Sequence, residues 1–351
     1  MMMSTTAGTQ VNGRRAADWS ALGVVCPLCH GELGDAGIAA LACTVCGATW
    51  PVTCGIPDLR TIGDPYLSVA DDAAAATALA ARAGATPFGA LYAAYYEGNA
   101  QVSADQVARF THGVLAAAER ASASVATWGE LGGTIDRDEL VLDLGCGTAP
   151  LGVVLAGEGH RVLGIDAGLR WLVLARARAA ERGVDLPVVC ANAERLPLRA
   201  GAVTATVGES VLENLTDADA GIAEVRRVTR PGGIFALTTP NRRSIGPDPH
   251  LGLLAGGWRS TGALRAYAQR TGQIMPRRRL FGPGELVAAL REGGFAGIRV
   301  ALPRFTDAQR RGQSLPVNVA IAGYHLSRRV PGLRWLVLQV APTIAVVGRS
   351  T

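Results

Sequence analysis

Short apolar runs alternate with helical segments between residues 139 and 240 of this 351-residue chain. The runs are Glu139–Asp143, His160–Ile165, Leu186–Cys190, Ala202–Val207 and Ile234–Thr239. Continuous apolar runs of this length are typical of strands that are buried on both faces, as in a parallel sheet. Consecutive parallel strands need crossover connections, which helices supply. The pattern therefore predicts an α/β fold with a doubly wound, parallel sheet.

The turn after the first predicted strand has the residues of a nucleotide-binding loop. Asp143 ends the strand, and Gly145, Cys146 and Gly147 lead into a helix. Glycines here let the backbone approach a ligand closely and turn tightly into the helix. The second strand ends in Asp166, about twenty residues after the glycines, where a carboxylate can accept hydrogen bonds from both ribose hydroxyls. These residues predict a cofactor that contains a nucleoside.

Residues 139–240 resemble a class I S-adenosylmethionine-dependent methyltransferase of the ubiquinone and menaquinone biosynthesis-like group. The run Asp143-Leu-Gly-Cys-Gly-Thr is similar to the family's first motif, and Arg230-Pro-Gly-Gly to the turn before its fifth strand. The resemblance implies S-adenosyl-L-methionine as the cofactor and Asp166 as its ribose-binding acid. It also implies a Rossmann-like sheet of seven strands with the last strand antiparallel.

The segment Asn192-Ala193-Glu-Arg-Leu-Pro stands where this family has Asp-Ala-Glu-x-Leu-Pro. The resemblance therefore places Asn192 and Ala193 at the adenine, with the carbonyl oxygen of Asn192 facing the adenine amino group. Two other interpretations of the glycine turn stay open. A dinucleotide would need room for a pyrophosphate at the helix N-terminus, which begins at Pro150, and the glycines can also serve the fold alone.

Two CxxC pairs near the N-terminus have the spacing of paired zinc knuckles: Cys26 and Cys29, then Cys43 and Cys46. Four thiolates complete a tetrahedron around Zn²⁺ and leave no open coordination position, so we expect a structural zinc ion in residues 24–60. Four ordinary buried thiols are the alternative. With Gly55-Ile-Pro-Asp-Leu59, the segment resembles the zinc-ribbon head of some bacterial methyltransferases, including guanine-N1 rRNA methyltransferases.

The boundaries of the other segments of the chain are predicted from periodicity and composition. We expect a flexible N-terminus over 1–23, a helical linker and lid over 61–135, and a methyltransferase domain over 136–351 with a substrate insertion at 241–282. Within the linker, Tyr92 and Tyr96 are candidates for a lid over the cofactor, or else core aromatic residues. The most apolar tract, Val330–Val347, is interrupted by two prolines, an arginine and a glutamine and is shorter than the roughly 20 apolar residues that cross a bilayer. We therefore expect a cytoplasmic protein without a transmembrane segment.

The positive charge is concentrated at the end of the chain. Residues 1–240 hold 17 Arg and 25 acidic residues, whereas residues 241–351 hold 17 Arg and 4. No lysine occurs, which excludes Schiff-base and P-loop lysine chemistry. We expect Arg242 and Arg243 to bind an anionic group of a substrate, or to form a solvated surface. The acidic first two thirds make RNA a less favoured partner than a small-molecule acceptor.

Two side chains are candidate proton acceptors for methyl transfer. Glu209 follows the fourth predicted strand and is expected to touch the cofactor or the acceptor, because doubly wound folds bind ligands at the carboxyl ends of their strands. His250 lies in the proline-rich loop after the fifth strand and acts either as a base or as a loop brace.

Three functions fit these residues. The first is methylation of a small or medium-sized natural product, with a hydroxyl on a lipophilic or glycosylated molecule as the acceptor. The second is RNA methylation, and the third is a non-catalytic cofactor-binding scaffold.

Overall fold

The computed structural model describes residues 14–37, 39–63, 67–97, 102, 104–246, 248, 251–271, 278–311 and 313–351. Secondary structure and contacts are reported for these residues. Within them the chain forms an N-terminal module, a helical arm and an α/β domain, in that order.

The N-terminal module consists of one helix and four antiparallel strands: α1 Ala16–Ala21, β1 Leu33–Asp35, β2 Ala40–Cys43, β3 Thr49–Thr53 and β4 Ile56–Pro57. Helix α1 buries the side chain of Trp19, which is 3% exposed. The expectation of a flexible N-terminus over 1–23 is therefore wrong for residues 14–23, because a large apolar side chain fixes them to the core. Residues 1–13 lie outside the described residues.

The helical arm follows the module and contains four helices: α2 Val69–Ala83, α3 Phe88–Ala94, α4 Ala104–Leu115 and α5 Ala117–Glu130. Helix α2 begins at a Ser68 side chain that accepts a hydrogen bond from the Asp71 backbone N–H, a standard N-cap. Helix α5 places Trp128, 1% exposed, against the large sheet, where its indole N–H donates to the Leu237 carbonyl.

The α/β domain is built on a seven-stranded sheet with the order β10-β11-β9-β8-β5-β6-β7. Its strands are β5 Leu140–Leu144, β6 Arg161–Asp166, β7 Val188–Cys190, β8 Val203–Glu209, β9 Thr229–Pro240, β10 Phe295–Ala301 and β11 Thr343–Ser350. Strands β5 to β9 are parallel, and β11 runs antiparallel to both of its neighbours. The prediction of a doubly wound, Rossmann-like seven-stranded sheet with an antiparallel last strand is confirmed.

Eight helices connect these strands in the described part of the domain: α6 Pro150–Gly157, α7 Leu169–Glu181, α8 Ala218–Val228, α9 Thr261–Thr271, α10 Pro283–Glu292, α11 Asp307–Arg310, α12 Leu315–Ser327 and α13 Pro331–Val340. The last three lie between β10 and β11. The sequence patterns that predict the sheet do not predict this helical insertion.

The N-terminal module is packed on the edge of the large sheet at β7. The Leu59 backbone N–H donates to the Cys190 carbonyl at 2.7 Å, and Val25 donates to Pro197 at 2.9 Å. The buried side chains of the module, including Trp19, belong to the same hydrophobic cluster as the side chains of β5, β8 and β9. The module and the α/β domain therefore share one hydrophobic core.

Candidate active site

The glycine turn after β5 adopts the backbone that its sequence requires. Gly145 has φ +60° and Gly147 has φ +51°, in the left-handed region that favours glycine. A Cβ atom on Gly145 would also lie 2.7 Å from a Val211 methyl group. At Gly147 a Cβ atom would meet no atom of the described residues within 4 Å, so space is open beside the loop. An open backbone loop of this kind fits close approach by a ligand.

Asp143 connects the strand before the glycine turn to the helix after it. Its carboxylate is 2% exposed and accepts a hydrogen bond from the Gly152 backbone N–H, in the first turns of α6, at 2.8 Å. Burial raises the pKa of Asp143 to about 8, although the Gly152 N–H opposes the shift.

Asp166, at the end of β6, lies directly against this turn. One of its carboxylate oxygens accepts from the Gly147 N–H at 2.9 Å, and the other accepts from the Gly168 N–H at 2.8 Å. Each carboxylate oxygen has two acceptor positions, so these backbone contacts leave the carboxylate able to accept from ribose hydroxyls as well. The acid at the strand end and the open glycine turn together fit the adenosine part of S-adenosylmethionine.

The structure corrects the expectation for Asn192. Its carbonyl oxygen accepts from the backbone N–H groups of Thr61 and Ile62, both at 3.0 Å, and its amide donates to the Ile62 carbonyl at 3.1 Å. Both acceptor positions of the oxygen are thus used by the linker rather than left for an adenine amino group. Asn192 fixes the linker beside the expected adenine position, and the neighbouring Ala193 is buried in the core.

A cavity of about 580 Å³ opens at the carboxyl ends of β5 and β8. Among its lining residues are Asp143, Gly145 and Cys146 of the glycine turn, Glu209 at the end of β8, and Tyr92 of α3. Glu209 and the first motif therefore line one cavity, and their role in a shared site stays a prediction. Burial raises the pKa of the Cys146 thiol well above its usual value. The thiol is therefore uncharged where it lines the cavity.

Helix α5 brings one hydrogen-bond partner and one positive charge to the cavity of Glu209, and the sequence patterns reveal neither. The Ser124 hydroxyl donates to its carboxylate, and Arg120 lines the same cavity. Burial raises the pKa of Glu209, while the Ser124 hydrogen bond and the positive charge of Arg120 oppose the shift. Burial likewise lowers the pKa of Arg120. The helix lies far from β8 in sequence, so only the packed structure brings these groups together.

The two candidate lid tyrosines are in contact with each other. Their hydroxyl oxygens are 3.2 Å apart, and the Tyr92 ring stacks on Trp171 with ring centroids 6.1 Å apart. Tyr92 lines the 580 Å³ cavity, whereas Tyr96 is absent from its described lining and packs on Phe110. Of the two tyrosines, Tyr92 therefore lies at the cavity and Tyr96 packs beside it.

The arginines that were expected to bind substrate lie elsewhere. Arg242 forms an ion pair with Glu285 at 2.8 Å, and Arg243 donates to the Gln339 side chain at 3.4 Å. Neither lines a described cavity, and both side chains lie at the surface beside Glu285 and Gln339, which fits the alternative of a solvated surface. Arg109, Arg120 and Arg304 line the 580 Å³ cavity instead. His250 lies outside the described residues.

The four knuckle cysteines converge in the N-terminal module. Their sulfur atoms all lie within 4.8 Å of one another, with Cys26 and Cys46 at 3.8 Å and Cys29 and Cys43 at 3.4 Å. A tetrahedral site with Zn–S bonds of about 2.3 Å has sulfur–sulfur edges of about 3.8 Å, so the cluster fits Zn²⁺. Cys54 is not part of the cluster and contacts the Thr77 hydroxyl.

Solved structures of methyltransferases align with much of the chain. A protein of Thermotoga maritima, described as a possible histamine N-methyltransferase, aligns over 69% of this chain and 92% of its own, with 17% identity and a TM-score of 0.43. A phosphoethanolamine N-methyltransferase of Haemonchus contortus aligns over 65% and 52%, with 16% identity and a TM-score of 0.44.

The family model described as "Methyltransferase domain" matches residues 142–237. A demethylmenaquinone methyltransferase of Mycolicibacterium vanbaalenii is 38% identical over 106 residues, which are 29% of this chain and 44% of that protein. Ubiquinone biosynthesis O-methyltransferases of Brucella anthropi and Vibrio cholerae are 29% and 30% identical over 187 and 195 residues. Each of these matches covers 52% of this chain, and they cover 71% and 72% of the two relatives. The chain belongs to the class I S-adenosylmethionine-dependent methyltransferases.

Proposed function

We propose that this protein transfers a methyl group from S-adenosylmethionine to a hydroxyl group on a lipophilic small molecule. The observation that carries the proposal is a pair of adjoining cavities. The 580 Å³ cavity holds the glycine turn and Glu209, and an apolar cavity of about 860 Å³ adjoins it. Both are lined by Gly113, Arg120, Phe305, Gln309 and Tyr324. A polar reaction site next to an apolar cavity suits an acceptor with a reactive hydroxyl and a hydrophobic body.

The names of the relatives support the same type of acceptor. Two of them are ubiquinone biosynthesis O-methyltransferases, and one is a demethylmenaquinone methyltransferase. We carry over the hydroxyl as the reacting group from the two O-methyltransferase names alone. All three names supply a quinone-related, lipophilic molecule as the acceptor class.

The proposed chemistry assigns a task to each part of the site. The bound cofactor supplies a methyl group on a positively charged sulfur. Asp166 and the Gly145–Gly147 turn would hold its adenosine part beside the 580 Å³ cavity. The walls of the two cavities position the acceptor and exclude water, which is a large part of the rate enhancement in a transfer of this kind.

Glu209 is the proposed proton acceptor. Its pKa is raised by burial, which brings it closer to neutral pH and makes it a better base than an exposed carboxylate. The Ser124 hydroxyl orients the carboxylate. The positive charge of Arg120 favours the ionised form of an acceptor hydroxyl nearby. His250 stays a second predicted base, and Tyr92 stays a predicted lid residue.

We also propose that Cys26, Cys29, Cys43 and Cys46 bind one structural Zn²⁺. The four sulfurs complete the coordination shell, so no position is open for chemistry.

The proposed function is tested by incubating the purified protein with S-adenosylmethionine labelled on its methyl group. Separate reactions contain a bacterial lipid extract, a water-soluble metabolite extract and total RNA. We expect label in a lipid-soluble product. Label that appears only in RNA, only in water-soluble metabolites, or in no fraction despite cofactor binding would contradict the proposal.

A variant pair then tests Glu209. Glu209→Gln keeps the shape and should lower turnover by about 10²–10⁴, the usual contribution of a positioned base. The control is Glu97→Gln, an exposed carboxylate paired with Arg82, which should keep full turnover. Cofactor affinity is measured on each variant by calorimetry. Unchanged affinity with lost turnover identifies a base, whereas full turnover in Glu209→Gln leaves His250→Ala as the next test.

A further inference from the structure

Helix α12 is apolar yet poorly buried. It has 13 residues and no charged side chain, and only Ile321 and Ser327 are buried. Leu315 is 78% exposed, Val319 62% and Leu326 60%. A helix that is hydrophobic around most of its circumference normally lies inside a core or against a membrane. The described residues do not cover it, so its partner lies outside the described part of the chain.

Helix α13 continues the same surface. None of its residues is buried, and Leu333, Trp335 and Leu336 are 43%, 62% and 57% exposed. We call residues 313–340 the C-terminal hairpin. A concentration of exposed large apolar side chains on one insertion is typical of an interaction surface rather than of scattered surface residues.

The charges around the hairpin indicate the chemistry of the partner. Between residues 302 and 342 the sequence holds six arginines and one acidic residue. The arginines are Arg304, Arg310, Arg311, Arg328, Arg329 and Arg334. Two of them, Arg310 and Arg311, precede α12, and Arg328 and Arg329 follow it. The surface is therefore apolar along the helix and cationic at its ends.

Several of these arginines are available for an external anion. Within the described residues, Arg329 and Arg334 have no acidic partner. A separate cavity of about 530 Å³ beside the hairpin is lined by five of the six arginines and by His325. Glu130 and Asp307 also line it and pair with Arg304, Arg328 and Arg310, which leaves Arg329 and Arg334 as its two arginines without an acidic partner among the described residues. The Nε2 atom of His325 is buried and has no hydrogen-bond partner in the described residues. These groups fit phosphate oxygens, which guanidinium groups bind well.

We propose that the C-terminal hairpin docks on the surface of an anionic lipid bilayer. Its exposed Trp and Leu side chains enter the boundary between headgroups and acyl chains, and its arginines contact lipid phosphates, as in interfacial helices. The attachment lies on the surface: no described helix has the length and apolar character needed to cross a bilayer.

The position of the apolar cavity indicates what membrane docking would do for the reaction, and this step rests on the proposed function. Both helices of the hairpin line the 860 Å³ cavity, Val317 and Ile321 from α12 and Leu333 and Val337 from α13. A lipophilic acceptor held in the bilayer would thus reach Glu209 without passing through water.

The docking is tested by vesicle flotation of the full chain, without any methyl acceptor. One set of vesicles is pure phosphatidylcholine, and the other is phosphatidylcholine with an equal part of phosphatidylglycerol. We expect binding to the anionic vesicles that weakens at high salt, because salt screens the arginine contribution. Absence of binding to anionic vesicles would overturn the proposal, and so would equal binding to both vesicle types.

Matched variants locate the surface. Trp335→Ser with Leu336→Ser should abolish flotation, and Arg329→Gln with Arg334→Gln should reduce anionic binding about fivefold for each arginine removed. Val45→Ser, at a 72% exposed valine of the N-terminal module, is the control and should float like the unaltered chain. Equal flotation of all variants would overturn the assignment of this surface.

A second copy of the chain is the competing occupant. Light scattering that shows a dimer, lost in the Trp335→Ser and Leu336→Ser variant, together with no vesicle binding, would identify a dimer interface instead. Vesicle binding needs no methyl transfer, so failure of this proposal and failure of the proposed function give different results.

Discussion

Arg60 and Asp72 form a buried ion pair with 2.7 Å between Arg60 Nη1 and Asp72 Oδ2, and their side chains are 2% and 0% exposed. Asp72 also pairs with Arg170 at 2.7 Å and accepts from the Leu169 backbone N–H at 2.8 Å. Arg60 in turn donates to the Ala167 carbonyl at 3.0 Å. One carboxylate thus ties the end of the N-terminal module, helix α2 and the start of α7 together, directly after the cofactor acid at the end of β6.

Removal of the Asp72 carboxylate should destabilise the folded chain. Asp72→Asn removes one negative partner from each of two buried arginines, of which Arg60 keeps Asp58, and we expect the free energy of unfolding to fall by about 3–5 kcal/mol. Urea denaturation followed by circular dichroism measures the change. In the control Glu97→Gln, which breaks the exposed pair with Arg82, the loss should stay below about 1 kcal/mol. If both variants lost a similarly small amount of unfolding free energy, the buried network would add no more stability than an exposed ion pair.

Cofactor binding should depend on Asp166. Asp166→Ala removes a charged acceptor for the ribose hydroxyls, and hydrogen bonds to charged groups contribute about 1.5–3 kcal/mol, so affinity for S-adenosylmethionine should fall about 10- to 150-fold. Titration calorimetry gives the dissociation constants. Asp185→Asn alters an exposed acid that pairs with Arg14 and should bind the cofactor normally. An unchanged constant for Asp166→Ala would remove this residue from the cofactor site.

Metal binding should depend on the four-cysteine cluster. The bound metal should stabilise the whole chain as well as the N-terminal module. We expect one zinc ion per chain by elemental analysis, and we expect Cys29→Ser to lose it. Because the module shares its core with the large sheet, this variant should also lower the melting temperature of the whole chain. Cys54→Ser lies outside the cluster and should keep the metal. Purified protein without zinc, or a Cys29→Ser variant with an unchanged melting curve, would contradict this.

Asp143 should make stability depend on pH. Its pKa in the folded chain is raised by burial from 3.8 to about 8, so the folded state binds a proton that the unfolded state releases. The contribution to stability is complete below the unfolded pKa and is lost as pH rises through the folded value. The stability advantage of the parent chain over Asp143→Asn should therefore shrink between about pH 4 and pH 8. Melting temperatures of both proteins across this range test it, and parallel curves would refute it.

The sequence by itself determined the sheet, the glycine turn and the cysteine cluster. These features depend on local rules: buried parallel strands are apolar throughout, Gly145 and Gly147 supply left-handed backbone, and paired CxxC spacing aims thiolates at one point. Each can be recognised within a few neighbouring residues, so periodicity and spacing were sufficient to predict them.

Only the tertiary structure decided which polar groups meet. Asn192 has the position of an adenine contact, yet it binds the linker at Thr61 and Ile62, whose backbone groups need partners when they pack on the sheet. Ser124 bonds Glu209, and Arg120 lines the same cavity, because α5 folds over the end of β8. Arg242 forms an ion pair with Glu285 for the same reason. Residues that are distant in sequence become neighbours once the core is packed, and a charged side chain then pairs with an opposite charge that lies within reach.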